Sequence, residues 1–389
     1  MSFTANARKR TCLLFIGAAA TAALTAAALP AAAATPGAHP SFVVHSFAAV
    51  GAETSPDDIT RLGASIYVTF QNGVGPLGEA APSGATASTI QQYTLQGMPG
   101  KSWSVTGKVD GLTADPARKR LLLTANEDGN SSFLTLDPAS SSAAKRYTYQ
   151  GLTHGGGTDA ISVTRGAIIV SGSNPSNPAG PAAYRVTLEG TVARLTPVLN
   201  DNSVATSANP STAGKPVQLA LTDPDSNEIV PRSSTRFAGS FMLDAQADKQ
   251  LIFISPERRD QDGRQVEPQV LSVAQPLDDT AFARHANDTL WVTDPTHDKV
   301  VEITGPFAAG QAISTVTPDA GPTYLARLSL KDGSLAPIAE LAGITPKGLL
   351  FTGAGDDQRE DDQRGDDHGD KSGDQGDQPV DHGDQSVTN

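Results

Sequence analysis

The sequence predicts an all-β fold, specifically a β-propeller, with six four-stranded blades and a disordered acidic C-terminal tail. Short runs of β-forming residues, separated by Gly, Pro, Ser, Asn and Asp, fill residues 41–353 without a long helical pattern. A weak repeat also recurs: an Asp, a spacer, an apolar residue, a short turn and then four or five β-formers. Four strands per repeat is the composition of a propeller blade.

The repeat starts lie on average about 58 residues apart, which exceeds the ~40–50 residues of regular blades and predicts loop insertions, chiefly at 172–235. The predicted starts are Asp57, Asp110, Asp159, Gly239, Asp279 and Lys347. The runs 89–95 with 102–106, and 300–304 with 312–316, are predicted outer strands. The run 41–47 is predicted to complete the last blade and to close the ring, which removes exposed sheet edges. A pair of β-sandwiches or an irregular solenoid is the alternative fold.

The two ends of the chain differ from this body. Three basic residues at 8–10, an apolar stretch at 13–29 and alanines at 31–34 predict a cleavable signal peptide over residues 1–34. An uncleaved anchor is the alternative. The chain is therefore expected to be secreted and extracellular. Its single cysteine, Cys12, lies in that segment, so the mature chain would contain no disulfide and no thiolate.

Residues 354–389 are rich in Asp, Gly and Gln and poor in apolar side chains, which predicts a disordered tail after the propeller domain at 41–353. The whole chain carries a formal net charge of −13. That balance argues against nucleic acid and against anionic membrane surfaces as partners. No apolar run after residue 34 reaches the length of a membrane span, and a monomer is expected.

The repeat also predicts a polar face. The innermost strand of a blade begins where the second strand ends, so the repeat aspartates and the residues after the second strands lie on one face. Carboxylate and amide oxygens suit a hard divalent cation, with Ca²⁺ as the candidate. The predicted metal ligands are Asp57, Asp110, Asp159, Asp279, Asn126 and Asn174. The alternative is that these residues make local turn hydrogen bonds, for which Asp and Asn are preferred.

Further residues are predicted to line this ligand-binding face: Asn72, His154, Glu257, Asp294 and Lys347. The stretch from Asp223 to Asn227 has alternating polar residues, but Glu228 stands where a calcium loop requires glycine. We therefore interpret that stretch as a turn. The chain has no Gly-x-Ser-x-Gly and no His-Glu-x-x-His motif, so no catalytic residues are assigned.

The stretch from Asp110 to Pro116, followed by the run from Arg120 to Thr124, resembles a blade of secreted bacterial propellers. The similar groups are the NHL-repeat and YncE-like propellers and the SMP-30/gluconolactonase-like superfamily, and the resemblance covers roughly residues 50–352. The last group implies one divalent cation at the channel mouth and lactone hydrolysis, while many NHL-like propellers are non-catalytic binding platforms.

Two functions therefore stay open at this point. The preferred one is a platform that binds an extracellular protein, a glycan or a small molecule through the Asp/Asn face. The alternative is a divalent-metal-dependent lactonase or hydrolase that uses the same face. Whether the chain is an enzyme is not decided by the sequence.

Overall fold

The structure is a computed structural model that describes residues 41–48, 51–255 and 267–353. The predicted signal peptide and tail lie outside these residues and stay predictions. Within them the fold is all-β, and its helices are three single turns: Pro116–Arg118, Pro210–Thr212 and Ala339–Leu341. No helix in the described part has the length and apolar character needed to cross a membrane.

The first three sheets are antiparallel four-stranded meanders that follow the chain in order. The first contains β2 (Pro56–Leu62), β3 (Ser65–Phe70), β4 (Ala87–Thr94) and β5 (Pro99–Thr106). The second contains β6 (Val109–Asp115), β7 (Arg120–Ala125), β8 (Ser132–Leu136) and β9 (Lys145–Gln150). The third contains β10 (Gly157–Thr164), β11 (Ala167–Ser173), β12 (Pro181–Glu189) and β13 (Val192–Asn200). The outer strands β9 and β13 pair in parallel.

The fourth sheet carries an extra hairpin. Its four strands are β16 (Pro224–Ile229), β17 (Phe241–Ala245), β18 (Gln250–Ile254) and β19 (Gln269–Ser272). The hairpin of β14 (Val204–Ser207) and β15 (Pro216–Gln218) extends this sheet, with β14 parallel to β19. The prediction of a loop insertion at 172–235 is therefore wrong for most of that region, because it contains β12 to β16.

The fifth and sixth sheets interlock along the chain. The fifth contains β20 (Leu277–Phe282), β23 (Ala312–Val316), β24 (Tyr324–Leu328) and β25 (Leu335–Pro337). The sixth contains β26 (Leu349–Thr352), β21 (Thr289–Asp294), β22 (Lys299–Thr304) and β1 (Val43–Ala48). The second strand of the fifth sheet is thus β23 and not the run at 290–293, and β22 and β23 belong to different sheets. Both corrections concern partners that are distant in the chain.

Strand β1 completes the sixth sheet by antiparallel pairing with β22, which confirms the predicted role of the N-terminal strand. Its Phe47 ring lies 4.4 Å from the Trp291 ring of the same sheet and 5.8 Å from the Tyr93 ring of the first sheet. Aromatic pairs at these distances add to the stabilisation from burial. The start of the described chain is therefore packed where the sixth sheet meets the first.

The six innermost strands contact their neighbours in a closed ring, in the order β2, β6, β10, β16, β20, β26 and back to β2. Six clusters of buried apolar residues lie between successive sheets. In β7, for example, Leu121 and Leu123 pack with Tyr67 of the first sheet, whereas Leu122 packs with Tyr184 of the third. Alternate residues of a strand point to opposite faces, so one apolar strand serves two interfaces. This arrangement confirms the β-propeller.

Candidate functional site

A β-bulge lies near the start of the first five innermost strands. The strand register shifts between Pro56 and Ile59, Val109 and Leu112, Thr158 and Ile161, Pro224 and Asn227, and Leu277 and Asp279. A bulge re-aims the side chain that it carries. The residues at these five bulges, together with the residue two positions before β26, are called the mouth ring: Asp57, Asp110, Asp159, Asp225, Asp278 and Lys347.

The mouth ring corrects two predicted repeat starts. The fourth is Asp225 rather than Gly239, and the surrounding residues form strand β16 rather than a turn. The sequence signal for it is the Pro-Asp pair, which also occurs at Asp57. It was missed because the next residues, Ser226 and Asn227, are polar where the other repeats have an apolar residue.

The fifth start is Asp278 rather than Asp279. Asp279 corresponds instead to Asp58, since each side chain accepts a backbone N–H from the innermost strand of the next sheet. The Leu349 N–H donates to Asp279 Oδ2 at 2.6 Å, and the Leu112 N–H donates to Asp58 Oδ2 at 2.7 Å. Asp279 therefore connects two sheets, which is the structural role that the sequence had left open for the repeat aspartates.

Two lysines neutralise part of the ring. Lys347 Nζ lies 2.7 Å from Asp278 Oδ1 and 3.9 Å from Asp57 Oδ1. Lys108 Nζ lies 2.8 Å from Asp110 Oδ1 and also contacts Glu127. Glutamine amides donate to the same two ring aspartates, Gln71 to Asp110 at 2.8 Å and Gln246 to Asp278 at 3.0 Å. Sequence reasoning missed Lys108, which lies two residues before Asp110, and both glutamines, which reach the aspartates only because adjacent sheets pack together.

Burial dominates the electrostatics of the ring. Loss of water raises the pKa of Asp57 to about 6, although Lys347 and Lys108 oppose the change. Burial also raises the pKa of Asp110, and Glu127 adds to the rise. For Lys347 burial acts to lower the pKa, but attraction by Asp278 and Asp57 outweighs it and raises the pKa. The lysine is therefore charged beside its acids, as expected for a cation with close carboxylates.

Asp159 and Asp225 form the part of the ring that makes no ion pair with a lysine among the described residues, although Lys347 acts at longer range to lower the pKa of both. Burial raises the pKa of both groups, and each lies close enough to the other for a side-chain hydrogen bond. Two carboxyls within hydrogen-bond reach repel each other when both are ionised, so this arrangement favours a protonated Asp159 that donates to Asp225.

The asparagines after the second strands make local bonds. Asn72 and Asn126 have φ values of 55° and 66°, in the left-handed region that asparagine tolerates. Asn126 Oδ1 accepts the Lys108 N–H at 3.1 Å, and its amide donates to the Asn130 carbonyl at 3.1 Å. Asn72 Oδ1 likewise accepts the Thr54 N–H at 3.1 Å. These contacts favour the turn interpretation for both residues; Asn174 shares the conformation, with φ 44°.

The remaining predicted residues of the face are mostly engaged within the protein. His154 is fully buried, with Nδ1 3.2 Å from the Tyr184 hydroxyl, and burial lowers its pKa to about 4. Asp294 is fully buried between His297 and Thr345, with contacts of 2.8 Å to each. Glu257 lies outside the described residues, and β18, the last described strand before it, is the third strand of its sheet rather than the second.

No three His, Cys, Asp or Glu side chains of the described residues come together as a group that could hold a metal ion. The carboxyl oxygens of the ring are of a type that suits calcium, but they face lysines, glutamines or another carboxyl. Calcium binding therefore stays a prediction. The mouth ring contains buried carboxyls that can exchange protons and bind cationic groups.

No protein-family model matches the chain, and no curated protein matches its sequence. Solved structures similar to it include a protein of unknown function from Bacteroides thetaiotaomicron VPI-5482, with 12% identity over 80% of this chain and 70% of that one, at a TM-score of 0.45. Another is the periplasmic gluconolactonase of Pseudomonas aeruginosa, with 10% identity over 78% and 90% of the two chains, at a TM-score of 0.42. Similarities of this size identify no function, and the propeller assignment depends on the strand pairing described above.

Proposed function

We propose that this chain is an extracellular propeller scaffold that binds a cationic ligand at the mouth ring and catalyses no reaction on it. The observation that carries the proposal is the excess of buried carboxyls over cations. Five ring aspartates and the neighbouring Glu127 stand against two lysines, Lys108 and Lys347. A cationic group that enters the ring would displace protons from these carboxyls and pair with the carboxylates that form.

The ligand class follows from the groups that the ring already holds. Lys347 brings an ammonium group to 2.7 Å from Asp278, so the ring accommodates that group in one half. Asp159 and Asp225 offer a matching pair of oxygens in the other half, where a proton takes the place of a cation. In addition, Asp110 Oδ2 is buried and has no hydrogen-bond partner among the residues that the structure describes. An ammonium or guanidinium group of an extracellular partner would satisfy these oxygens with charge-assisted hydrogen bonds.

The metal-dependent lactonase is the second candidate, and the same oxygen-rich ring motivates it. One observation favours the binding scaffold. Lys347 is a fixed cation at the sixth ring position, where its repulsion of a divalent ion would be twice that of a singly charged group.

The proposal is tested by calorimetry on the secreted full-length protein with a tri-lysine peptide, and with a tri-glutamine peptide as the neutral probe. Binding of tri-lysine should release protons and should weaken by at least ~10-fold in the double variant Asp159→Asn, Asp225→Asn. The control is Glu189→Gln, an exposed carboxylate paired with Arg194 on an outer hairpin, which should leave binding unchanged.

Equal binding of the two peptides, or equal loss in the control, would contradict the cation site. A panel of lactones and esters, assayed with and without chelator, separates the second candidate. Hydrolysis that disappears on chelation and returns with Ca²⁺ would overturn the non-catalytic proposal.

A further inference from the structure

One position of the second strands is occupied by a hydroxyl residue in all sheets but the fourth. It lies opposite the bulge of the innermost strand in the first five sheets and opposite Gly348 in the sixth, and it is fully buried in every sheet. Strand register places the following residues there, from the first to the sixth sheet: Thr69, Thr124, Ser171, Asp244, Thr315 and Thr293. We call this set the joint position, because in four sheets its hydroxyl bonds to the next sheet; Thr69 instead donates to the Asp58 carbonyl of its own sheet at 3.4 Å.

The hydroxyl at the joint position links two sheets by accepting one hydrogen bond and donating another. Thr124 accepts the N–H of Gly111 in its own bulge at 2.8 Å and donates to the Asp159 carbonyl of the next sheet at 2.6 Å. Thr293 repeats this where the ring closes, accepting from Gly348 at 2.8 Å and donating to the Asp57 carbonyl at 2.6 Å.

Ser171 and Thr315 also donate to the next sheet, to the carbonyls of Asp225 and Lys347. The backbone carbonyl of a mouth-ring residue is therefore repeatedly bonded to the preceding sheet. The corresponding acceptor for the fourth sheet is the Asp278 carbonyl.

Asp244 departs from this pattern in a specific way. It is fully buried, and neither carboxyl oxygen has a hydrogen-bond partner among the described residues. A carboxylate can only accept hydrogen bonds, whereas a protonated carboxyl both donates and accepts, as a hydroxyl does. Only the protonated form can therefore make the bond to a carbonyl of the next sheet that four of the other sheets make.

The charges around Asp244 favour that form. Burial raises its pKa well above the ordinary value, and Asp278, Asp279 and Asp223 raise it further. The nearby innermost strand β16 carries Asp225 and Glu228, whereas the adjoining strand β18 carries no titratable group. The nearby cations are bound elsewhere: Lys347 to Asp278, and Lys249 to Asp319 at 2.9 Å.

We propose that Asp244 makes the contact between the fourth and fifth sheets sensitive to pH, connecting them when its carboxyl is protonated and loosening them when it ionises. The sign follows from linkage. The stabilisation is complete below the ordinary carboxyl pKa of about 4, and it is lost as the pH rises towards and through the raised pKa of the folded protein. This inference does not depend on ligand binding at the mouth ring.

The test is urea unfolding of the full-length protein between pH 5 and pH 9, for the wild type and for Asp244→Thr, which places the hydroxyl of the other sheets at this joint. The ratio of the variant's folding equilibrium constant to that of the wild type should rise by up to about 10-fold per pH unit. Asp244→Asn, which keeps the shape but cannot titrate, should give the same slope.

Thr124→Val is the matched control, because it removes a joint hydroxyl without removing a titratable group. It should lower stability by a similar amount at every pH. If the free energy of unfolding changed with pH in the same way for the wild type and for Asp244→Thr, the proposal would be overturned.

A measurement on the wild type alone guards against variants that fail to fold. Hydrogen exchange, corrected for the intrinsic pH dependence of the rates, should show opening of β17 and β20 increasing with pH more steeply than opening of β7 and β10. Equal pH dependence at the two joints would also overturn the proposal.

Discussion

The two halves of the mouth ring neutralise the same residue type in different ways. Asp57 and Asp278 lie beside Lys347, while Asp159 and Asp225, on the opposite side, share a proton. The backbone is the same at all four positions, since each aspartate occupies a bulge at the start of an innermost strand. The protonation of these aspartates therefore depends on side chains from adjacent sheets and not on the backbone conformation that the repeat shares.

The largest expected effect comes from removing the lysine. Lys347→Met leaves Asp278 and Asp57 without their ammonium, so at pH 8 we expect a loss of about 2 kcal/mol in the free energy of unfolding, less than for a fully buried pair because the lysine is partly exposed. At pH 5 the loss should be smaller, because Asp57, with a pKa raised to about 6, takes up a proton instead. Urea unfolding at both pH values measures this.

The control for that variant is Lys249→Met, which breaks the ion pair with the exposed Asp319. Exposed pairs contribute little, so its effect should stay below ~0.5 kcal/mol. A loss of the same size in the two lysine variants would show that the ring lysine has no special role.

A smaller change, an increase in the free energy of unfolding, is expected from a variant in the half of the ring that makes no ion pair with a lysine. Asp225→Asn removes one carboxyl of the proton-sharing pair, so one proton fewer is taken up on folding, and the variant should be more stable than wild type by about 1 kcal/mol at pH 8. The difference should vanish near pH 2, where both carboxyls are protonated in the unfolded chain too.

Asp110→Asn is the counterpart of that change in a lysine-paired position. Burial raises the pKa of Asp110 too, so its removal should also increase stability at pH 8, but by less, because Lys108 loses a partner. Unfolding curves of the two asparagine variants at pH 8 compare the halves directly. An equal or larger gain in Asp110→Asn would contradict the distinction between lysine-paired and proton-sharing aspartates.

The smallest expected effect concerns the two glutamines. Gln71→Met and Gln246→Met each remove one donor to a ring aspartate that keeps its lysine, so each should cost about 0.5–1 kcal/mol. The costs should be equal within that range, because the two contacts are equivalent: Gln71 links the first sheet to the second, and Gln246 links the fourth sheet to the fifth. Thermal unfolding of both variants is sufficient, and a cost above ~2 kcal/mol for one of them would indicate a role beyond that bond.

Much of the fold was predictable from local patterns. The aspartates at 57, 110 and 159 mark innermost strands because each meander is continuous in sequence, and the outer strands at 89–95 and 102–106 follow directly. The pattern failed at the fourth sheet, where polar Asn227 replaces the apolar residue, and at the last two sheets, where β21 and β22 interrupt the strands of the fifth. No local sequence pattern shows that the strands of the fifth and sixth sheets alternate along the chain, since paired residues such as Asp279 and Thr315 are separated by a hairpin of the other sheet.

An all-β propeller with a repeating aspartate, and an N-terminal strand that completes the last sheet, follow from the sequence, because alternation and turn residues are local properties. The folded structure was needed to show which aspartates form the mouth ring, that Lys347 lies between Asp278 and Asp57, and that Asp244 stands where the other sheets have a hydroxyl. Burial and charge at the ring come mostly from residues far apart in the chain. Only closure of the sheets around one axis brings these residues within hydrogen-bonding distance.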